Sequence, residues 1–127
     1  MYLNLDRIRK NHTVAFSKFK EYMHHRVSDE VYDYWIDTSI TVDMAAKNVY
    51  LPLLEGYLMN FFNKYDIKID IGVDKFGEYI PRVCMYEGGL YRSNMQTKYV
   101  NRHEAVIKAI DVAFSKLNVE LILNRGT

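Results

Sequence analysis

Hydrophobic and polar positions along the chain follow a helical period, then an alternating one, then a helical one again. Leu5, Ile8, His12, Ala15, Phe19 and Tyr22 recur at steps of three and four, the spacing of one side of a helix, and predict a helix over residues 4–24. Ser28 suits an N-cap, and Asp29 and Glu30 in the next turn complement the helix dipole, so a short helix through Ile36 follows. Residues 38–42 are rich in β-branched side chains and read either as a short strand or as a connector. Pro52 fits a helix's first turn, where its missing N–H costs nothing. Beyond it, Leu54, Tyr57, Leu58, Phe61, Phe62 and Tyr65 trace a broad apolar stripe. Whether residues 44–50 form a preceding turn of that helix, kinked at Pro52, stays open at this level.

From Ile67 the period becomes two. Ile67, Ile69, Ile71 and Val73 share one face, while Lys68, Asp70, Gly72 and Asp74 share the other, which predicts a half-buried strand. Residues 74–77 carry turn chemistry, residues 78–86 read as a second strand, and Glu87-Gly88-Gly89 reverses the chain into a third over residues 90–93. Pro81 cannot donate to a ladder, so its nitrogen must face solvent, a bulge or an edge, making the second strand irregular or peripheral there. Asn101 and Glu104 have capping-box spacing. Ala105, Val106, Ala109, Ile110, Ala113, Phe114 and Leu117 then form a continuous stripe, with alanines small enough for close approach to a sheet. After Asn118, alternating Val119, Leu121 and Leu123 suit either a short extra strand or a frayed end, and strand addition through the former is a route to a homodimer. The predicted fold is therefore α+β in one domain: a helical N-terminal extension over residues 1–45, then a core over 46–127. That core comprises a helix, a three-stranded antiparallel meander and a C-terminal helix packed on the sheet.

With 127 residues, 49% hydrophobic and 14% aromatic, the chain can build one core without a metal or disulfide. Its one cysteine, Cys84, excludes an intramolecular bridge, and no leader-like tripartite segment opens the sequence, so a cytoplasmic location is expected. No apolar run approaches the roughly 20 residues of a membrane-spanning helix, and a soluble protein with no membrane partner is expected. A formal charge of +1 argues against a purely electrostatic partner. The charge is uneven, however. Residues 1–26 hold Arg7, Arg9, Lys10, Lys18, Lys20 and Arg26 against Asp6 and Glu21, whereas residues 27–46 hold five acids and no Lys or Arg. Such adjacent opposite segments can guide docking, although surface charges more commonly solvate outer faces.

No catalytic constellation, metal spacing or cofactor fingerprint stands out, and no cofactor is expected. His24 and His25 are adjacent rather than three or four residues apart, as two ligands on one helical face would be, and fit a helix end. His12 and His103 have no sequence-close ligand partner. Cys84 reads as a strand thiol with a packing role, an approach to His103 in space being the one reactive pairing left open. Asp66, Asp70 and Asp74 with Lys68 describe a solvated strand face. The preferred binding surface interleaves Tyr79, Tyr86, Tyr91 and Tyr99 with Arg82, Arg92, Lys98 and Arg102, residue types that stack bases or anchor protein interfaces. Tyr32, Tyr34 and Trp35 in their acidic setting form a second candidate.

The order of helix, three strands and helix over residues 52–117 resembles double-stranded-RNA-binding domains. In that family a basic cluster opens the last helix and grips phosphates; here Asn101, Arg102, His103, Glu104 and Ala105 occupy the region, with alanines that fit better than the charges. The run from Tyr57 to Ile71, with Tyr79, Ile80 and the segment from Glu104 to Ala109, also resembles small uncharacterised proteins of phages and mobile elements of gut Bacteroidetes. That resemblance implies an accessory role against a host, with no defined site. The expected function is a non-enzymatic interaction protein acting by protein contact, with a double-stranded-RNA or other nucleic-acid binder and a small-ligand or nucleotide-binding defence antagonist as alternatives.

Overall fold

The computed structural model describes residues 2–35, 48–87, 90–93 and 97–124. Its class is α+β. In chain order the elements are β1 (Tyr2–Asn4), α1 (Leu5–Asn11), α2 (Thr13–His24), α3 (Asp29–Trp35), β2 (Asn48–Tyr50), α4 (Leu51–Asn63), β3 (Ile67–Val73), β4 (Tyr79–Glu87), β5 (Leu90–Ser93) and α5 (Arg102–Asn124).

The helix expected over residues 4–24 is two helices. Asn4 closes β1 and caps α1, its Oδ1 accepting the Arg7 N–H at 3.0 Å. At His12 the backbone leaves the helical region (φ −135°, ψ 59°), ending α1 and opening α2. The first N–H groups of α2 then need an acceptor, and the His12 side chain does not supply one. The acceptor comes from α5: Asn118 Oδ1 takes the Val14 N–H at 2.9 Å and the Ala15 N–H at 3.0 Å. Beside it, His12 Nε2 lies 3.2 Å from Asp111 Oδ1. The break is thus stabilised by side chains a hundred positions away, which the local periodicity could not reveal.

The question left open before Pro52 is answered for residues 48–50, which form a strand and not a helical turn. β1 and β2 pair antiparallel, with Tyr2 opposite Tyr50 and Asn4 opposite Asn48. The second correction is the tail: Val119 to Leu123 continue α5 instead of forming a strand. No Gly or Pro interrupts residues 90–125, so a helix whose nucleation cost is already met simply propagates. The strand on which tail-mediated dimerisation would rest is therefore not formed. The strand-or-connector segment at residues 38–42 and the possible turn at 44–47 lie outside the described residues.

β3 and β4 pair antiparallel with Ile67 opposite Met85 and Val73 opposite Tyr79. β5 joins the other edge of β4, with Cys84 opposite Ser93 and Glu87 opposite Leu90. Beyond that ladder, Tyr79 and Tyr99 exchange both backbone hydrogen bonds at 2.7 and 2.8 Å. Because successive residues of a strand point their amides to alternate sides, Pro81 aims its nitrogen the same way as Tyr79, away from β3. It falls between the Tyr79–Tyr99 bridge and the Cys84–Ser93 pair, where no ladder donor is required of it. β4 is therefore central, not peripheral, and its register with β3 runs unbroken through Pro81 opposite Ile71.

One face of this sheet carries Ile67, Ile69, Ile71, Val83 and Met85 into the core. α5 covers it with Ala105, Val106, Ala109, Ile110, Ala113, Phe114 and Leu117, all fully buried. α5 also packs against α1, α2 and α4. Around Phe114 the rings of Phe62, Phe19, Phe61 and Phe16 lie at 4.9, 5.8, 6.1 and 6.3 Å between centroids, mostly tilted or edge-on, the favourable arrangement for aromatic quadrupoles. The N-terminal helices add Leu5, Ile8, Ala15, Tyr22 and Met23 to the same core.

Candidate interaction surface

The end of the sheet that carries the β3–β4 turn gathers three exposed apolar side chains, Val73, Phe76 and Val100, with an ordered charge network. Asp74 builds the turn. Its Oδ1 accepts the N–H groups of Phe76 at 2.8 Å and Glu78 at 3.0 Å, and its backbone N–H donates to Glu78 O at 2.9 Å. Gly77 adopts φ +81°, a left-handed conformation that costs a side-chain-bearing residue strain. Asp74 Oδ2 lies 3.0 Å from Lys98 Nζ, and the aspartate side chain is only 12% exposed. The Lys98 ammonium beside it, helped by the Glu78 and Phe76 amides, holds the Asp74 carboxyl below the usual carboxylate range against the opposing effect of burial. Asp74 in turn raises Lys98 above the ordinary lysine value.

This polar scaffold projects apolar side chains outward. Phe76, at the tip, is 73% exposed, Val73 is 61% exposed and Val100 is 77% exposed. Lys75 Nζ sits 5.1 Å from the Phe76 ring centroid. Val73, Tyr79 and Tyr99 are consecutive partners across the sheet, and directly opposed residues share a face, so they form one row. Val73 at the end of that row is left largely uncovered.

Tyr99 also lines an open cleft of about 290 Å3 between the start of α1 and the start of α5. Its apolar walls are Leu3, Ile8 and Ile107, and the charged residues around them are Arg7, Glu104, Lys108 and Asp111. A concave apolar site beside exposed aromatic and aliphatic side chains is the arrangement in which a partner's side chain can be fully desolvated.

Among the described side chains, the interleaved tyrosines and cations read from the sequence do not form one patch. Tyr79 and Tyr99 are joined, with Lys98 brought beside the turn through Asp74. Arg102 reaches across to α4, where its Nη2 donates to Glu55 Oε1 at 3.0 Å. Arg82 is on the opposite sheet face, 3.3 Å from Asp70 and folded over Gly72, where an added Cβ would meet its guanidinium. Tyr32 packs elsewhere, edge-on to His24 with ring centroids 4.8 Å apart. The side chains of Tyr86, Tyr91, Arg92, Tyr34 and Trp35 lie outside the described residues. Cys84 shares Arg82's face, the one turned away from α5, so β4 does not present its thiol to His103 on that helix. Among the described residues, no three His, Cys, Asp or Glu side chains are grouped to hold a metal ion.

Sequence reasoning missed Val73, Phe76, Val100 and the cleft. Phe76 was legible, because a phenylalanine inside the Asp74-Lys75-Phe76-Gly77 turn cannot join a core and must project from it. The cleft was not, since its walls come from residues about a hundred positions apart. Comparison with known proteins adds no relative to this geometry: no family model, curated protein or solved structure matches the chain.

Proposed function

We propose that this chain is a non-enzymatic interaction protein that docks a protein partner at the turn end of its sheet. The observation that carries the reading is the exposure of Phe76, Val73 and Val100 beside the cleft at Tyr99. Burying a single large aromatic anchor in such a site contributes roughly 2 kcal/mol or more of binding free energy. The nearby cations support a protein partner over a nucleic acid. Lys98 is engaged by Asp74 and Arg102 by Glu55, so this end offers a mixed aromatic patch rather than a run of uncommitted positive charge. Among the described residues no helix is long and apolar enough to cross a membrane. The one cysteine of the sequence is the support for our proposal of a cytoplasmic setting. The resemblance to phage and mobile-element proteins makes a host protein the class of partner we favour.

The test is capture from host lysate by the tagged chain, with and without nuclease, beside a Phe76→Ser/Val100→Ser variant. A stoichiometric protein that survives nuclease and is lost from the variant is the expected result. Recovery of duplex RNA alone, abolished by nuclease, would replace this reading with the RNA-binding one and direct mutagenesis to Arg102. Both substituted side chains are exposed, so the variant's fold should be unchanged, and its circular dichroism spectrum checks that.

A further inference from the structure

A second cleft has different chemistry. It lies where the end of α2 meets the end of α4, has a volume of about 300 Å3 and is open to solvent. Among the described residues its basic lining side chains are Lys18, His25, Arg26 and Lys64, with Glu21 the one acid beside them. Lys18 stands 3.7 Å from Glu21 and offsets it. Arg26 and Lys64 remain, and among the described residues no carboxylate lies within ion-pair distance of either.

Both charges are held against one ring. Arg26 Cζ is 3.6 Å from the centroid of Tyr22, and Lys64 Nζ is 5.3 Å from the same centroid. Tyr22 is only 6% exposed and packs against Phe61 with centroids 5.5 Å apart, so the ring is a fixed platform. Arg26 is further restrained by donating one guanidinium hydrogen bond to Tyr22 O at 3.2 Å. Its remaining donors and the three of the Lys64 ammonium have no recorded protein acceptor among the described residues.

Two like charges gathered on one ring repel each other, and an anion placed between them reverses the sign of that interaction. For Arg26 the ring contact and the hydrogen bond to Tyr22 O meet part of the cost of ordering before the ligand arrives. A pair of cations with no carboxylate partner matches a group carrying close to two negative charges and several acceptor oxygens, as phosphate does. We infer that this cleft binds the phosphate group of a small molecule, with Arg26 and Lys64 donating to its oxygens and the rings of Tyr65 and His25 flanking the remainder. The volume is at the lower end of the range of small-molecule sites, about 300–1,000 Å3. The carbonyl ends of α2 and α4 also attract cations. That attraction requires no bound anion, and the experiment separates the two roles.

The full chain, labelled with 15N, is titrated with sodium phosphate and, at matched ionic strength, with sodium chloride; adenosine monophosphate and adenosine follow. Saturable shifts of the Tyr22, Arg26, Lys64 and Tyr65 amides with phosphate but not chloride are expected, with adenosine silent. Lys64 is exposed in the turn after α4, so Lys64→Gln should keep the native spectrum while weakening phosphate binding by roughly tenfold or more, the loss expected for a charge-assisted contact. Tighter binding of adenosine monophosphate than of phosphate assigns a monoester, and equal binding assigns free phosphate. The proposal is overturned if phosphate moves these amides no more than chloride does, if its shifts map elsewhere, or if Lys64→Gln titrates as the native chain does.

Discussion

Replacing Asn118 by alanine tests whether a side chain of α5 really caps α2. One oxygen, Oδ1, serves two backbone donors, Val14 N–H at 2.9 Å and Ala15 N–H at 3.0 Å, in a partly buried setting. Loss of an ordinary N-cap costs about 0.5–2 kcal/mol, and a buried donor left without a partner costs about 1–3 kcal/mol. Water can reach part of this site, so we expect a net loss of about 2 kcal/mol. For a chain of this size each kcal/mol corresponds to roughly 3–5 °C in melting temperature, giving a fall of about 8 °C. Urea unfolding followed by circular dichroism should show a lower midpoint at unchanged slope, because the surface exposed on unfolding stays the same. Asn118→Asp keeps the acceptor and places a negative charge at the positive end of α2, so it should lose less than half as much. A loss below about 0.5 kcal/mol for Asn118→Ala, or equal losses for the two variants, would refute the capping argument.

Two further outcomes follow from the turn and from α4. The Asp74 carboxyl is held below its ordinary value of 3.8, so its contribution to the folded state is present above that pH and disappears as pH falls through the lowered value. An NMR titration should place its midpoint below 3.8, and Lys98→Met should move that midpoint upward; an unmoved midpoint would mean that Lys98 is not the cause. Gly56 lies on the exposed side of α4, with nothing within 4 Å of the position a Cβ would occupy. Gly56→Ala should therefore stabilise the chain by about 0.5–1 kcal/mol through helix propensity alone, and a lower melting temperature would count against the open position.

Where local pattern and tertiary environment agree, the sequence was enough. The alternation from Ile67 to Val73 and the stripe from Ala105 to Leu117 each report one buried face, and both elements form where expected. His12 shows the opposite case. Its position in a continuous helical stripe gives no sign of a break, because Asn118 and Asp111, which stabilise the break, belong to another element. Val119 to Leu123 were ambiguous for a different reason. Five residues with apolar positions at every second place satisfy a strand, yet they also prolong a helix that nothing upstream terminates. At the candidate surface the fold bridges Tyr79 and Tyr99, two of the residues singled out by type, but the pairing of Arg102 with Glu55 and of Arg82 with Asp70 depends on partners that only the fold reveals.

The long separation between α2 and its cap also governs how this polypeptide can acquire its shape during synthesis. A nascent chain that has left the ribosome as far as β5 holds the residues of both sheets and of four helices, but it lacks the helix that covers Val83 and adds Phe114 to the cluster of Phe16, Phe19, Phe61 and Phe62. Those side chains then face water, and the amides of Val14 and Ala15 have no protein acceptor. Closure must wait for α5, so the aromatic interior stays open to chaperones or to aggregation until translation passes residue 118.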